Sequence, residues 1–184
     1  MRRFSTVVLS LLVLGTAAAL AGEGDKKLVF ETPKEWKEVE VKGGMMAPKK
    51  QWTVDKAEGD DEAPSIKLSH FGGQGGTLDD NVKRWCGQFK TVDGAAFPVD
   101  KAKKETFEVG ELKVTTIEIA GTFTPSAMTG GGDPKKGQKL LAAYIEGKGG
   151  PWFVKLQGPE KSVDKNKDAY VKWLKSAKVV VESK

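Results

Sequence analysis

The spacing of apolar and polar residues changes period several times along this chain, and each change marks an element. Ser65 to Phe71 repeats every second residue: Ile66, Leu68 and His70 share one face, and Ser65, Lys67 and Ser69 the other. That pattern predicts a strand buried on one side. From Thr77 the period lengthens, and Leu78, Val82, Trp85 and Phe89 fall on one narrow helical stripe. Thr77 is its natural N-cap, Asp79 and Asp80 complement the helix dipole in the first turn, and Lys83 and Arg84 face water. A second stripe of Val163, Tyr170, Trp173, Leu174 and Ala177 predicts a closing helix over residues 162–177, with Lys165, Lys172 and Lys175 outward.

Further β-favouring runs occupy residues 39–41, 51–54, 105–109, 112–123, 139–146 and 152–157. Before them, Leu28-Val29-Phe30 gives an extended entry that turns at Thr32-Pro33 toward Trp36. Within 112–123, Leu112 and Val114 alternate in one phase and Ile117 and Ile119 in the other, which predicts a bulge near Thr115 and Thr116. Residues 124–137 carry Pro125, Gly130-Gly131-Gly132 and Asp133-Pro134, the composition of a mobile loop. Strands outnumber helices and most connections are short. The fold class expected is therefore α+β: a largely antiparallel sheet with two main amphipathic helices packed on it.

The N-terminus sets the compartment. Met1-Arg2-Arg3 precedes an uncharged run over residues 7–20 that ends Ala19-Leu20-Ala21, which predicts a cleavable signal peptide over 1–21. A flexible lead over 22–27 and a single α+β domain over 28–184 follow. Gly22 stands where a lipoprotein would need cysteine, so a soluble periplasmic or extracellular product with no lipid anchor and no membrane segment after cleavage is expected; an uncleaved leader acting as a membrane tether is the alternative. Cleavage would remove Arg2 and Arg3 and lower the formal charge of +5 by two, leaving a mildly basic chain with interspersed charges. Such a distribution argues against a nucleic-acid partner. Cys86 is the only cysteine, so core burial rather than an internal disulfide must stabilise this exported chain.

The element order carries a resemblance. An extended entry, a Pro-x-x-Trp turn at Pro33 and Trp36, a sheet, and a last strand running through Gly158-Pro159 into a helix ending Trp173-Leu174-Lys175-Ser176-Ala177 resemble the PsbP-like fold superfamily and a group of uncharacterised secreted bacterial proteins. The resemblance implies an α/β/α sandwich and a mostly non-enzymatic binding or accessory role. It implies no particular functional residue, because the metal-binding histidines of the photosynthetic members have no counterpart here.

Candidate chemistry is sparse. Gly72-Gly73-Gln74-Gly75-Gly76 joins a strand to a helix, as phosphate-binding loops do, but the lysine that follows a P-loop is missing, and Asp79 and Asp80 would repel an anion there. A tight flexible turn is the favoured reading. His70 and Cys86 are each the sole residue of their kind, and the returning helix should carry Cys86 about 13 Å from Thr77 toward Ile66, too far for a Cys-His pair. A buried inert thiol and a histidine closing the core edge are expected. One histidine without a second ligand disfavours zinc. Asp55, Glu58, Asp60, Asp61 and Glu62 could gather calcium, though a solvated turn is favoured because EF-hand spacing is lacking. Trp85, Trp152 and Trp173 sit in apolar stripes, whereas Trp36 and Trp52 remain open to sugar stacking if exposed beside one groove.

Two functions follow. The first is a monomeric, exported, non-enzymatic binding or accessory domain of the periplasm or envelope, meeting an envelope protein or a small ligand without a cofactor. Its binding rim lies where two loops flank a sheet end, with His70, Gly73, Gln74, Gly75, Thr129 and Gly131 as candidate residues. The alternative is a secreted hydrolase that uses His70 with an unassigned carboxylate, and it needs His70 accessible and paired.

Overall fold

A computed structural model describes residues 26–44, 46–126 and 131–181, so the signal peptide read over 1–21 lies outside the described residues. The strands are β1 (Lys26–Val29), β2 (Lys37–Val39), β3 (Lys50–Thr53), β4 (Ser65–His70), β5 (Phe89–Lys90), β6 (Lys103–Val109), β7 (Leu112–Phe123), β8 (Lys135–Glu146), β9 (Trp152–Pro159) and β10 (Lys178–Val181). The helices are α1 (Leu78–Cys86) and α2 (Glu160–Leu174). An antiparallel sheet runs in the order β2-β3-β4-β9-β8-β7, with β5 and β6 both pairing with β7, while β1 and β10 form a separate two-stranded ribbon. The expected class, α+β with an antiparallel sheet and two amphipathic helices, is the class observed.

Alternation along β8 shows how the layers form. Leu141, Ala143 and Ile145 belong to a core closed by Val163, Tyr170, Trp173 and Leu174 of α2. Leu140, Ala142 and Tyr144, the intervening positions, belong to a second core closed by Val82, Trp85 and Cys86 of α1. Successive side chains of a strand point to opposite faces, so the two helices cover opposite faces of the sheet. The same geometry explains β7. Val114 enters the α2 core while Ile117 and Ile119 enter the α1 core, and pairing with β8 runs without interruption from Lys113 to Gly121.

The bulge predicted near Thr115 and Thr116 is therefore absent from that position, since a change of buried face needs no bulge when both faces are covered. The register shifts instead between Gly121 and Phe123. There a Cβ on Gly121 would stand 2.2 Å from the Lys90 carbonyl oxygen, so glycine lets β5 approach.

Other boundaries also move. Phe89 leaves the helical stripe because α1 ends at Cys86, yet as part of β5 it still packs in the α1 core. The first strand after the Pro33 turn is Lys37–Val39 rather than 39–41. β8 starts at Lys135 and takes the end of the expected 124–137 loop. α2 starts and stops earlier than 162–177, which frees Lys178–Val181 to pair with β1. Lys26 and Lys27, read as flexible lead, belong to that ribbon. Leu28 and Phe30 then close the α2 core, Phe30 stacking on Trp173 at a centroid distance of 4.0 Å.

Candidate functional site

The glycine loop after β4 is built by packing. A Cβ on Gly75 would stand 2.2 Å from Cζ of Phe153, which is buried between Phe71 and Tyr144. The carbonyl oxygens of Gly75 and Gly76 accept hydrogen bonds from Asn81 Nδ2 at 2.9 Å and the Tyr144 hydroxyl at 3.0 Å. At the start of α1, Thr77 and Asp80 form a reciprocal capping box. The hydrogen bond from the Thr77 side chain, helped by the Thr77 backbone N–H, holds the Asp80 carboxyl below its ordinary value. A carboxylate thus occupies the place that a phosphate would need, so the loop acts as a turn. Gly73 and Gln74 stay exposed at its tip.

His70 lies beside this loop and is partly buried. Its ring stacks on Trp152 at 5.3 Å, and Nε2 donates to the Gly149 carbonyl oxygen at 2.5 Å. Cys86 is buried in the α1 core, and desolvation pushes its thiol above the ordinary range. Ile66, expected next to Cys86, belongs to the α2 core instead, because α1 covers the other face of β4. Trp36 and Trp52 pack against Trp173 at 5.2 and 5.3 Å, so they form core rather than a sugar-stacking surface.

The rim residues do not come together. Register places His70 opposite Trp152 at the start of β9, whereas Gln138 near the start of β8 faces Pro159 at the end of β9. His70, Gly73, Gln74 and Gly75 therefore occupy one end of the sheet, and Gly131, shortly before β8, lies toward the other. Gly131 donates its N–H to the Ser126 carbonyl at 3.0 Å, and Thr129 lies outside the described residues.

At that second end, Asp60, Glu62, Lys135, Gln138, Glu160 and Lys161 line an open groove of about 670 Å³. Three of its acids, Asp60, Glu62 and Glu160, already have partners. Asp60 accepts from the Ser162 backbone N–H at 3.0 Å and from the Ser162 hydroxyl, capping α2 from another part of the chain. Glu62 pairs with Lys135 at 2.6 Å. Among the described residues no group of three or more His, Cys, Asp or Glu side chains could hold a metal ion.

Two charged sites escaped sequence reading. Between α2 and the sheet, Glu118 receives Lys167 at 2.7 Å and Lys139 at 3.4 Å, and Lys139 also binds Glu160 at 3.1 Å and Asp164 at 2.7 Å. Burial pushes the Glu118 carboxyl up, but the Lys167 hydrogen bond and the charges of Lys167, Lys139 and Lys103 together hold it below its usual value. The second site is Lys155 on β9. Its ammonium lies 5.1 Å from the centre of the Trp85 ring, and its pKa falls to about 8 through desolvation, then through the charges of Arg84 and Lys67. The only sequence signal was a lysine alternating out of phase with Trp152, Val154 and Leu156, which marked its face but not the helix covering it.

No protein-family model matches this chain, and none of the curated proteins matches it. Among solved structures, it is similar to the solution structure of cyanobacterial PsbP (CyanoP) from Synechocystis sp. PCC 6803, with a TM-score of 0.47, 16% identity, and coverage of 92% of this chain and 99% of that one.

Proposed function

We propose that this chain is an exported, monomeric, non-enzymatic binding or accessory domain of the periplasm or cell envelope. The observation that carries the reading is the commitment of its two rarest reactive side chains to structure. Cys86 is sealed in the α1 core, and His70 spends Nε2 on a backbone carbonyl while its ring covers Trp152. A nucleophile-base pair needs the two within hydrogen-bond reach and oriented by a third group. Here one serves the core and the other the sheet edge. The basic, apolar and small-residue segments of 1–21 support export.

Binding then falls to polar surface. The candidates are the His70, Gly73 and Gln74 rim at one end, and the groove from Asp60 to Lys161 at the other. Expression of the full chain in a bacterial host should yield a periplasmic protein whose intact mass lacks residues 1–21; retention of those residues would overturn cleavage, and recovery of the chain from the cytoplasm would overturn export. A hydrolytic activity that disappears in His70→Ala, while the variant keeps the native melting temperature, would establish the hydrolase instead.

A further inference from the structure

The α1-facing side of β4 and β9 carries Lys67 and Lys155, neither of which has an ion-pair partner among the described residues. Lys67 and Lys155 are direct partners across the two strands, so both side chains project from the same face. Like charges placed opposite one another destabilise a sheet, and this pair is flanked by further donors rather than by carboxylates. Arg84 reaches the same region from α1, next to Trp85; it donates to the Asn81 side-chain oxygen, and its charge is felt at Lys155 as well as at Asp80. Lys155 is partly buried and lies over the Trp85 indole, whose Nε1–H is buried with no acceptor. On the same face, Ser65 and Gln157 form the next register pair on one side, and Ser69 lies on the other. From β8, the residue opposite Lys155 is Ala142, which brings no charge.

Contrast the other charged cluster. Lys139 and Lys167 are matched by Glu118, Glu160 and Asp164, which is how a structural network satisfies its ions. Lys155 has no such match among the described residues. A partly desolvated ammonium costs stability unless a counter-charge arrives, and here Lys155 faces Lys67 across two strands, with Arg84 nearby, and has no carboxylate of its own among the described residues.

We propose that Lys155, Lys67 and Arg84 form a binding site for a tetrahedral oxyanion of the phosphate type, with Lys155 as its inner contact. A dianion suits three cations better than a single carboxylate, and Arg84 supplies the planar donor set that grips phosphate oxygens. Lys67 and Arg84 are exposed, so they can close on a ligand that enters from solvent. The site is distinct from the glycine loop, whose helix terminus is filled by Asp80. It deepens the reading of the chain as a binding domain and leaves export untouched, so failure here would leave the leader and His70 experiments standing.

The test is titration of the full mature chain with sulfate and with inorganic phosphate at constant ionic strength, using chloride as control. Saturable binding is expected, about tenfold or more weaker in Lys155→Met and also weakened in Lys67→Gln. Sulfate does not titrate in this range, so its affinity for the wild-type chain should decline above pH 8 as Lys155 loses its proton, and stay flat in Lys155→Arg. A parallel arm uses phosphatidylcholine vesicles with and without phosphatidylglycerol. Loss of vesicle binding alone in Lys155→Met identifies a lipid headgroup as the source of the phosphate. Loss of binding to the free anion identifies a soluble one. If sulfate and phosphate act no differently from chloride and vesicle binding survives in Lys155→Met, or if Lys155→Met binds anion like wild type, the proposal is overturned.

Discussion

Gly75 shows how a single residue decides between a ligand loop and a turn. The missing Cβ leaves room for the Phe153 ring, which Phe71 and Tyr144 hold on either side. Gly75→Ala should therefore cost about 1–3 kcal/mol in denaturant unfolding, because the ring has nowhere to retreat. An unchanged midpoint would show that the ring does move. Trp173 is a larger case, touching Phe30, Trp36, Trp52 and Tyr170. Trp173→Ala should lose about 3–5 kcal/mol, a large part of the stability of a chain this size, whereas Trp173→Phe should lose less. Cys86 should resist alkylation in native protein and react only on unfolding, as its burial and raised pKa dictate. The apolar nature of Trp85, Trp173 and Cys86 was legible from their stripes. The burial of Trp36 and Trp52 was not, because each packs through Trp173, which lies more than a hundred positions away in the chain.

At the scale of elements, helix starts divide into local and distant kinds. α1 carries its own signal: Thr77 accepts from the Asp80 N–H at 3.2 Å, and the spacing of the two residues is visible in the sequence. α2 begins after Pro159, which offers no side-chain cap, and Asp60 supplies one across 102 positions. The acidic turn that invited a calcium reading is in this respect a helix cap. It is also fastened by Asn166, whose Nδ2 donates to the Asp55 carbonyl at 2.7 Å. Asp60→Ala should destabilise the chain by about 1–2 kcal/mol, with hydrogen exchange accelerated mainly in the first turn of α2. Uniform acceleration would argue against a capping role. The Gly121 register shift is another element-level feature that periodicity misplaced. The phase change between Val114 and Ile117 looked like a bulge, but it reflects two covered faces.

Across the whole molecule, the two charged clusters act in opposite senses on stability. Glu118 has its folded pKa below the ordinary 4.5, so its contribution is present above that value and is lost as pH falls through the folded pKa. Acid unfolding should shift upward in pH in Glu118→Gln, which leaves Lys139 and Lys167 with less counter-charge. A loss of about 1–3 kcal/mol at neutral pH is expected, because Glu118 is largely enclosed while Lys167 is 41% exposed and so partly screened. Lys155 differs in that its charged form is the one that costs stability. Its folded pKa of about 8 lies below the usual 10.5, so the unfolded chain binds more protons between those values and stability should rise with pH there. The difference between wild type and Lys155→Met isolates this slope, and a pH-independent difference would refute it.

Local periodicity in the sequence determined the class of fold, the two amphipathic helices, the start of α1 and most strands, because period two or 3.6 follows from the backbone of one segment alone. Only tertiary structure decided which core each face of β7 and β8 enters, that β10 returns to pair with β1, and that Asp60 caps α2. It also decided that the two loop rims lie at opposite sheet ends and that Lys155 meets Lys67 beneath Trp85. These depend on strand order and register, which are set by the packing of the whole sheet and leave no periodic trace in any one segment.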